Sequence, residues 1–408
     1  DFPIRVKCLT LSNLVAGFDF IVGMDVISQL GGVTIGDGAV RFGCERLAMV
    51  AAKVGIEDKD FTARFDGSRW VVSWKWIDGP PTMKSRIAEY AINPKLRGAY
   101  EDEVRSWIAE GWLVPRDSEE SGGLLPMMAV EQSNKGKVRP VLDFRELNMA
   151  TSSHTADSAV CGEQLRTWRR MGSEMALVDL RKAYLQIHVD PALWRYQTVK
   201  FHGQQYYLTR LGFGLNSAPR IMSEILRTVL SQDQRIAEAT SHYIDDIAID
   251  TTKVSVEDVV THLGRYGLQT KPPEGLSGAK PLGLRVYRDH SGILRWTRGN
   301  TLPDLDVVSG MTRRQLFALC GKLVGHYPIG GWLRVASSFI KRHSEGDAWE
   351  DAIGLRCESL LRELLLRVRE EDPVQGVWSV QKCDRGKVWC DASSLALVVV
   401  IEIEGVKA

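Results

Sequence analysis

The sequence predicts an α+β fold, an antiparallel sheet backed by helices, and three observations carry that expectation. Apolar strands recur in strand–turn–strand pairs, as in MMAVEQ–SNKGK–VRPVLDF, QTVKFHGQQYYLTRL and HYIDDIAID. Helical spacing separates them, most plainly from Pro219 to about Leu230, where Ile221, Met222, Ile225, Leu226, Val229 and Leu230 share one face. The alternation lacks the strict strand–helix–strand rhythm of a parallel sheet.

Taken in order, residues 1–45 read as short strands separated by glycines, as in FDFIVGMDVI and GGVTIGDGAVRFG. Gly79-Pro80-Pro81 then punctuates a stretch bearing Trp70, Trp74 and Trp76. Glu101 to Leu113 has helical spacing through Val104, Trp107 and Ile108, with Gly111 near its end. A helical GEQLRTWRRM leads into the strand EMALVDL. Asn216 and Ser217 are placed to cap the helix that begins at Pro219. After Pro303 the chain turns mainly helical until about Glu371, and Val388 to Glu404 reads as strand again.

Composition narrows the classes. The 408 residues suffice for two or three domains, and 44% hydrophobic with 25% charged residues excludes wholesale disorder. Charge is nearly balanced, 52 Lys and Arg against 51 Asp and Glu, so any grip on a phosphate backbone must come from local concentration. The 7 cysteines are scattered without C-x-x-C spacing, which suits a reduced, intracellular compartment rather than a disulfide framework. The longest apolar run, Leu395 to Ile401, is strand-sized, so no membrane is expected as a partner. No signal peptide or initiator Met opens the chain, and both ends read as cuts through a longer protein.

The chemistry concentrates in carboxylates. Asp245 and Asp246 sit side by side in a hydrophobic hairpin, where two like charges resist burial without a counter-charge. Alone, such a pair is most simply a solvated acidic turn. A third carboxylate, Asp179, ends the apolar strand Met175 to Val178. If those strands are neighbours in one sheet, three carboxylates converge, a set suited to two hard divalent cations, Mg²⁺ first among them.

VDLRKAYLQI, LTRLGFGLNSAP and YIDD, in this order, resemble the central palm motifs of reverse transcriptases. Upstream, KGKVRPVLDFRELN is similar to the fingers motif of the same family, in the form found in long-terminal-repeat retrotransposons and retroviruses. The resemblance implies a right-hand polymerase with fingers, palm and helical thumb. It implies RNA-directed DNA synthesis with two Mg²⁺ (or Mn²⁺) ions, a primed RNA or DNA template and dNTPs as partners; the oligomeric state is left open. Asp179, Asp245 and Asp246 would hold the metals, and Lys271 would protonate the departing pyrophosphate. Tyr184 would lie beneath the incoming sugar and exclude a 2′-hydroxyl. Lys135, Lys137 and Arg139 would close over the triphosphate, and Gly214 would let a base pair approach the backbone. Asp143, Phe144 and Arg145 continue the fingers motif toward the template, and Leu282-Gly283-Leu284 resembles the primer-gripping hairpin.

The same resemblance divides the chain. Residues 1–45 look like the C-terminal remnant of a retropepsin-like aspartic protease without its catalytic triplet, so Asp25 is not a protease nucleophile-activating residue. Residues 46–95 are expected as linker, 96–300 as fingers and palm, and 301–372 as helical thumb or connection. Residues 373–408 would be a linker and the first strand of a truncated ribonuclease H domain, with Asp391 as a metal ligand. No carboxylate falls between Asp306 and Glu345, while Arg313, Arg314, Lys322, Arg334, Lys341 and Arg342 do, as a duplex-holding thumb needs. Two alternatives stand beside this one: a decayed or domesticated fragment that binds nucleic acid without catalysis, and a viral RNA-dependent RNA polymerase, against which Tyr184 and the fingers motif speak.

Overall fold

A computed structural model of the chain describes residues 33–36, 39–42, 45–48, 54–116, 123–132, 136–153, 160–302, 310–324, 329–380, 386–393 and 397–403. FDFIVGMDVI, Asp25 and Lys135 lie outside the described residues. Near the start, strands Val33–Gly36, Ala39–Phe42 and Glu45–Ala48 form an antiparallel meander. The chain divides into two compact units, one of residues 1–152, 184–221 and 265–268, the other of the remainder.

In the first unit, strands Gly55–Glu57, Phe61–Phe65 and Trp70–Trp74 pair antiparallel, and His188–Val189 adds to the last in parallel. Phe61, Ala63, Trp70, Val72 and Trp74 are buried, with the period of two that a one-sided sheet requires. The expectation of a linker over 46–95 is therefore corrected: 55–74 is sheet. Its alternation is short, and the fourth strand comes from far along the chain.

Helix Pro94–Ala109 starts earlier than its apolar spacing suggests. Asn93 caps it by accepting from Lys95 N at 3.0 Å, and Pro94 takes the first helical turn. Tyr100, Val104 and Trp107 are its buried face. Gly111, at φ +68°, follows its end, and Leu113 opens a strand that pairs with Gln204–Leu208 rather than extending the helix. Gln204–Leu208 also pairs with Thr198–Phe201 across His202 and Gly203, both at positive φ, as a two-residue hairpin loop demands. Met127–Gln132 and Lys137–Leu142 form the fingers-motif hairpin.

The amphipathic helix Ala218–Leu230 buries Ile221, Met222, Ile225, Leu226, Val229 and Leu230. Ser217 does not cap it, because its hydroxyl is buried without a hydrogen-bond partner.

In the second unit a four-stranded sheet runs Thr240–Tyr243, Asp246–Asp250, Met175–Asp179, Glu274–Gly275, every pair antiparallel. Helix Val160–Arg170 is tied to this sheet. Gln164 and Trp168 both donate to Ser241 Oγ, at 2.7 and 3.2 Å. Trp168, Met175, Ala248, Leu284, Trp296 and Trp378 share one core, which the sheet Arg285–Arg288, Leu294–Thr297, Gln375–Val377 closes. The indole of Trp378 donates to Gly172 O at 2.8 Å, satisfying its one buried donor.

Helices Arg313–Val324, Gly331–Arg342 and Leu355–Glu370 have a core of their own around Leu316, Leu323, Leu333, Ile340, Leu361 and Leu365. Gly386–Ala392 and Leu397–Ile403 form a separate strand pair that places Asp391 opposite Val398. Among the described residues no helix is long and apolar enough to cross a membrane.

Candidate active site

The carboxylates arise from two neighbouring strands of the second unit. Asp179 closes Met175–Asp179 and Asp246 opens Asp246–Asp250, and the two are register partners. Asp245 lies in the two-residue loop between Tyr243 and Asp246, which are themselves paired. The first loop residue, Ile244, takes φ +58°. A β-branched side chain in left-handed backbone costs on the order of 1–3 kcal/mol, strain that clusters at functional turns. The surrounding ladder imposes it: Leu180 N–H donates to Asp245 O at 3.3 Å, fastening the loop to the end of the central strand.

Lys271 completes the group. Its N–H donates to Asp179 O at 2.8 Å, next to a Leu180–Thr270 bridge, so backbone bonds fix it beside Asp179. Its ammonium is ion-paired with Asp179 Oδ2, while Asp179 Oδ1 is buried with no hydrogen-bond partner. Asp246 is the strained carboxyl. Burial first, then Asp245 and Asp179, push it up to about 6, with Lys271 pulling the other way.

Among the described residues, no three His, Cys, Asp or Glu side chains stand close enough to hold a metal ion. The donor chemistry nevertheless fits a hard divalent cation. A buried oxygen lacks a partner, a neighbouring carboxyl resists ionisation because it is buried beside two others, and the one cation on Asp179 among the described residues is the Lys271 ammonium.

The expected nucleotide-binding residues lie in the first unit. Lys137 opens the second strand of the fingers hairpin. The Arg139 guanidinium lies 5.0 Å from the centre of the Phe213 ring, and the Tyr184 ring meets the same Phe213 edge-on at 4.8 Å. Gly214, at φ +104°, is in backbone that a side chain would strain, and a Cβ there would sit tightly at 3.3 Å from Leu142 O. At Gly212 a Cβ would meet the Phe144 ring at 2.1 Å. Asn148 clamps the loop from the other side, donating to Gly214 O at 2.8 Å and accepting from Asn216 N at 2.9 Å. Asp143 accepts from Tyr90 OH at 2.6 Å and from Arg145 at 2.9 and 3.0 Å, and Arg145 foremost holds it well below the usual carboxylate range.

Phe213 and Asn148 are the residues that sequence reasoning missed. An aromatic between two glycines, and the Asn that ends RELN, were the available signals.

On the helices, the basic residues differ in what engages them. Arg314 is paired with Glu350 at 2.7 Å, and Arg313 donates to Gly346 O. Lys341 lies 5.4 Å from the centre of the Phe317 ring. Lys322, Lys341 and Arg342 have no ion-pair partner among the described residues.

An antiparallel sheet with carboxylates opposed at one end and a helix tied to it is the arrangement of a polymerase palm. Residues 130–272 match the family model described as reverse transcriptase (RNA-dependent DNA polymerase), and residues 312–370 match a domain of unknown function, DUF7047. The chain is 22% identical over 184 residues to the enzymatic polyprotein of Figwort mosaic virus (strain DxS), covering 44% of this chain and 26% of that one. It is 25% identical over 188 residues to the retrovirus-related Pol polyprotein from transposon opus of Drosophila melanogaster, covering 44% and 18%. The chain thus spans about a quarter or less of these curated relatives.

Among solved structures, the foamy viral protease-reverse transcriptase dRH in complex with double-stranded DNA aligns with a TM-score of 0.59 at 17% identity, covering 81% of this chain and 56% of that one. The foamy viral protease-reverse transcriptase in complex with double-stranded DNA aligns at 0.55 and 17%, covering 81% and 67%. Residues 130–272 are thus similar to the reverse transcriptase family, and the fold is the right-hand polymerase fold of the similar structures.

Proposed function

We propose that the chain is the RNA-directed DNA polymerase of a retrotransposon, transferring nucleotidyl units from dNTPs to a primer 3′-hydroxyl. The observation that carries this is the Asp179–Asp246 rung beside the strained Ile244 turn, within the span that matches the reverse transcriptase family.

Asp179, Asp245 and Asp246 are the residues that would hold two Mg²⁺ or Mn²⁺ ions. Bound there, the ions would supply positive charge at the attacking and departing oxygens of an in-line displacement. In that displacement the primer 3′-oxygen bonds to the α-phosphorus and loses its proton to solvent water, while the bond from the α-phosphorus to the pyrophosphate oxygen breaks. Lys271 donates a proton to the departing pyrophosphate, a role its ammonium can take once released from Asp179. Lys137 and Arg139, with Lys135, bind the triphosphate, and Arg139 is oriented by the Phe213 ring. Tyr184 lies under the sugar, and Gly214 admits the base pair to the backbone. The helices over 313–370 hold the phosphates of a duplex, in line with the double-stranded DNA bound in both similar structures.

By the same reading 1–45 is retropepsin-like, 96–300 fingers and palm, 301–372 helical thumb or connection, and 373–408 a linker and a ribonuclease H-like strand. We place the protein inside the cell, as its unpaired Cys161, Cys320, Cys357 and Cys390 suit.

The second reading, a Pol fragment that binds nucleic acid without catalysis, draws on the Lys271–Asp179 ion pair, which occupies one of the three carboxylates. Primer extension on poly-rA with Mg²⁺ or Mn²⁺ separates the two. Extension by the wild type and its loss in Asp245→Asn support the polymerase, and primed-template binding without extension supports the fragment.

A further inference from the structure

Within the first unit, a cavity of about 440 Å³ opens beside the Phe61–Phe65 and Trp70–Trp74 hairpin, and none of the roles assigned above uses it. Its wall carries Arg64, Arg69, Arg210 and His188 against one carboxylate, Asp66. That carboxylate is already engaged. It accepts from Ser68 N and Arg69 N at 3.0 Å and from Ser68 Oγ at 2.8 Å, and is ion-paired with Arg69 at 3.2 Å.

Arg64 and Arg210 have no ion-pair partner among the described residues. Arg210 is only partly exposed, and its guanidinium donates to a neutral group, Thr209 Oγ1, at 2.6 Å. A guanidinium drawn out of water without a counter-charge is costly, and an arriving anion would remove that cost. Burial, and then Arg69, accordingly pull Arg210 down to about 10; burial, then Arg210 and Arg69, push His188 down to about 4. His188 is therefore neutral near pH 7, and the positive charge belongs to the arginines.

The remaining wall says what sort of anion fits. Trp194 lines the cavity, its indole fixed by donation to Val189 O at 2.7 Å. Guanidinium groups match phosphate oxygens, while a held aromatic ring offers a face for a base. The volume falls in the range of roughly 300–1,000 Å³ typical of small-molecule sites. We infer that this cavity is a second nucleotide-binding site, taking a phosphate on Arg64 and Arg210 and the attached base against Trp194.

The nucleotide has two possible sources, a free nucleoside phosphate or one residue of a single-stranded nucleic acid. The test is isothermal titration of the full chain in EDTA, which silences metal-dependent nucleotide binding, with dTMP, thymidine and oligo(dT) of eight residues as probes. Binding of dTMP is expected to exceed that of thymidine by about tenfold or more. Arg64→Gln and Arg210→Gln should each weaken dTMP by about tenfold, while Arg210→Lys keeps most of the affinity. An exposed Arg64 makes the first variant safe for the fold, and thermal unfolding checks both.

If oligo(dT) binds about tenfold tighter than dTMP and loses that advantage in Arg210→Gln, the source is a strand; equal affinities point to the free nucleotide. Absence of binding by the wild type, or unchanged affinity in both folded glutamine variants, overturns the site. Loss of binding in Asp245→Asn would move it to the carboxylates and overturn it equally. None of these outcomes depends on primer extension.

Discussion

Asp179 and Asp246 are register partners at the end of the central strand pair, and the Lys271 ammonium is bonded to the Asp179 carboxylate. Two acidic groups are thus held together by backbone bonds whether or not their charges repel. The unfavourable charge is built in by the ladder, and Lys271 offsets it in part.

Asp179→Asn and Asp245→Asn should therefore each reduce primer extension to background without unfolding the chain, because neither side chain is part of the apolar core. The double variant should be no worse than either single one, since groups that act as a unit are strongly non-additive. Single-turnover extension with circular dichroism measures both. Wild-type rates in either variant would remove these carboxylates from the chemistry.

Asp246 predicts a dependence of stability on pH. Its carboxyl ionises at 3.8 when unperturbed, as in the unfolded chain, and at about 6 in the folded one. Below about 4 both states hold the proton and nothing is lost. From about 4 to about 6 the unfolded chain gives up its proton while the folded chain keeps it, so stability falls as pH rises; above about 6 the loss is complete. In EDTA, Asp246→Asn should stabilise the protein at pH 7.5 by about 1–2 kcal/mol, a figure reduced for solvent screening, and by almost nothing at pH 4. Mg²⁺ should erase that advantage by stabilising the wild type alone. Thermal unfolding at the two pH values, with and without Mg²⁺, gives the comparison; equal midpoints for both proteins at pH 7.5 in EDTA would refute the strain on Asp246.

What the sequence reveals follows the range of the interactions. Helix Ala218–Leu230 and the hairpin around Tyr243 to Asp246 are patterned locally, by period and by β-branched residues, and both are legible. The start of helix Pro94–Ala109 is hidden because Asn93 and Pro94 act through capping, outside the apolar period. The sheet over 55–74 reads as linker because its partner strand, His188–Val189, lies far along the chain. The Lys271–Asp179 ion pair spans 92 residues and leaves no local mark beyond the family motif. Phe213 reads as a loop residue, and only the folded chain brings Arg139 and Tyr184 against its ring.

Salt dependence tests the helices over 313–370. Arg314 is neutralised by Glu350, so it should contribute little to phosphate binding. Lys341 and Arg342, lacking such partners among the described residues, should contribute more. Replacing both with Gln should reduce the slope of log affinity against log salt by about 1–2, while Arg314→Gln leaves it nearly unchanged. Fluorescence anisotropy of a duplex across salt concentrations measures it. An unaltered slope in the Lys341 and Arg342 variant would assign those residues to a solvated face.

On the proposed polymerase reading, the choice between deoxyribose and ribose sugars should depend on Tyr184. Carboxylates and metal ions meet the same triphosphate in either nucleotide, so selectivity has to come from a group that touches the 2′ position. The Tyr184 ring is braced edge-on by Phe213 at 4.8 Å, and a braced ring excludes a hydroxyl better than a mobile one. Tyr184→Val should raise CTP use more than it lowers dCTP use. A change of about 1.4 kcal/mol in the difference of barriers is tenfold in the preference. Phe213→Leu keeps the gate but removes its brace, and should produce a smaller loss of selectivity, together with a higher KM for dCTP because Arg139 loses the ring beneath it. Phe213→Tyr should restore both. The measurement is the ratio of kcat/KM for dCTP over CTP in the four proteins. A ratio that stays constant in Tyr184→Val would make Tyr184 a packing residue. A ratio that moves in Tyr184→Val but not in Phe213→Leu would leave the gate standing and dismiss the brace.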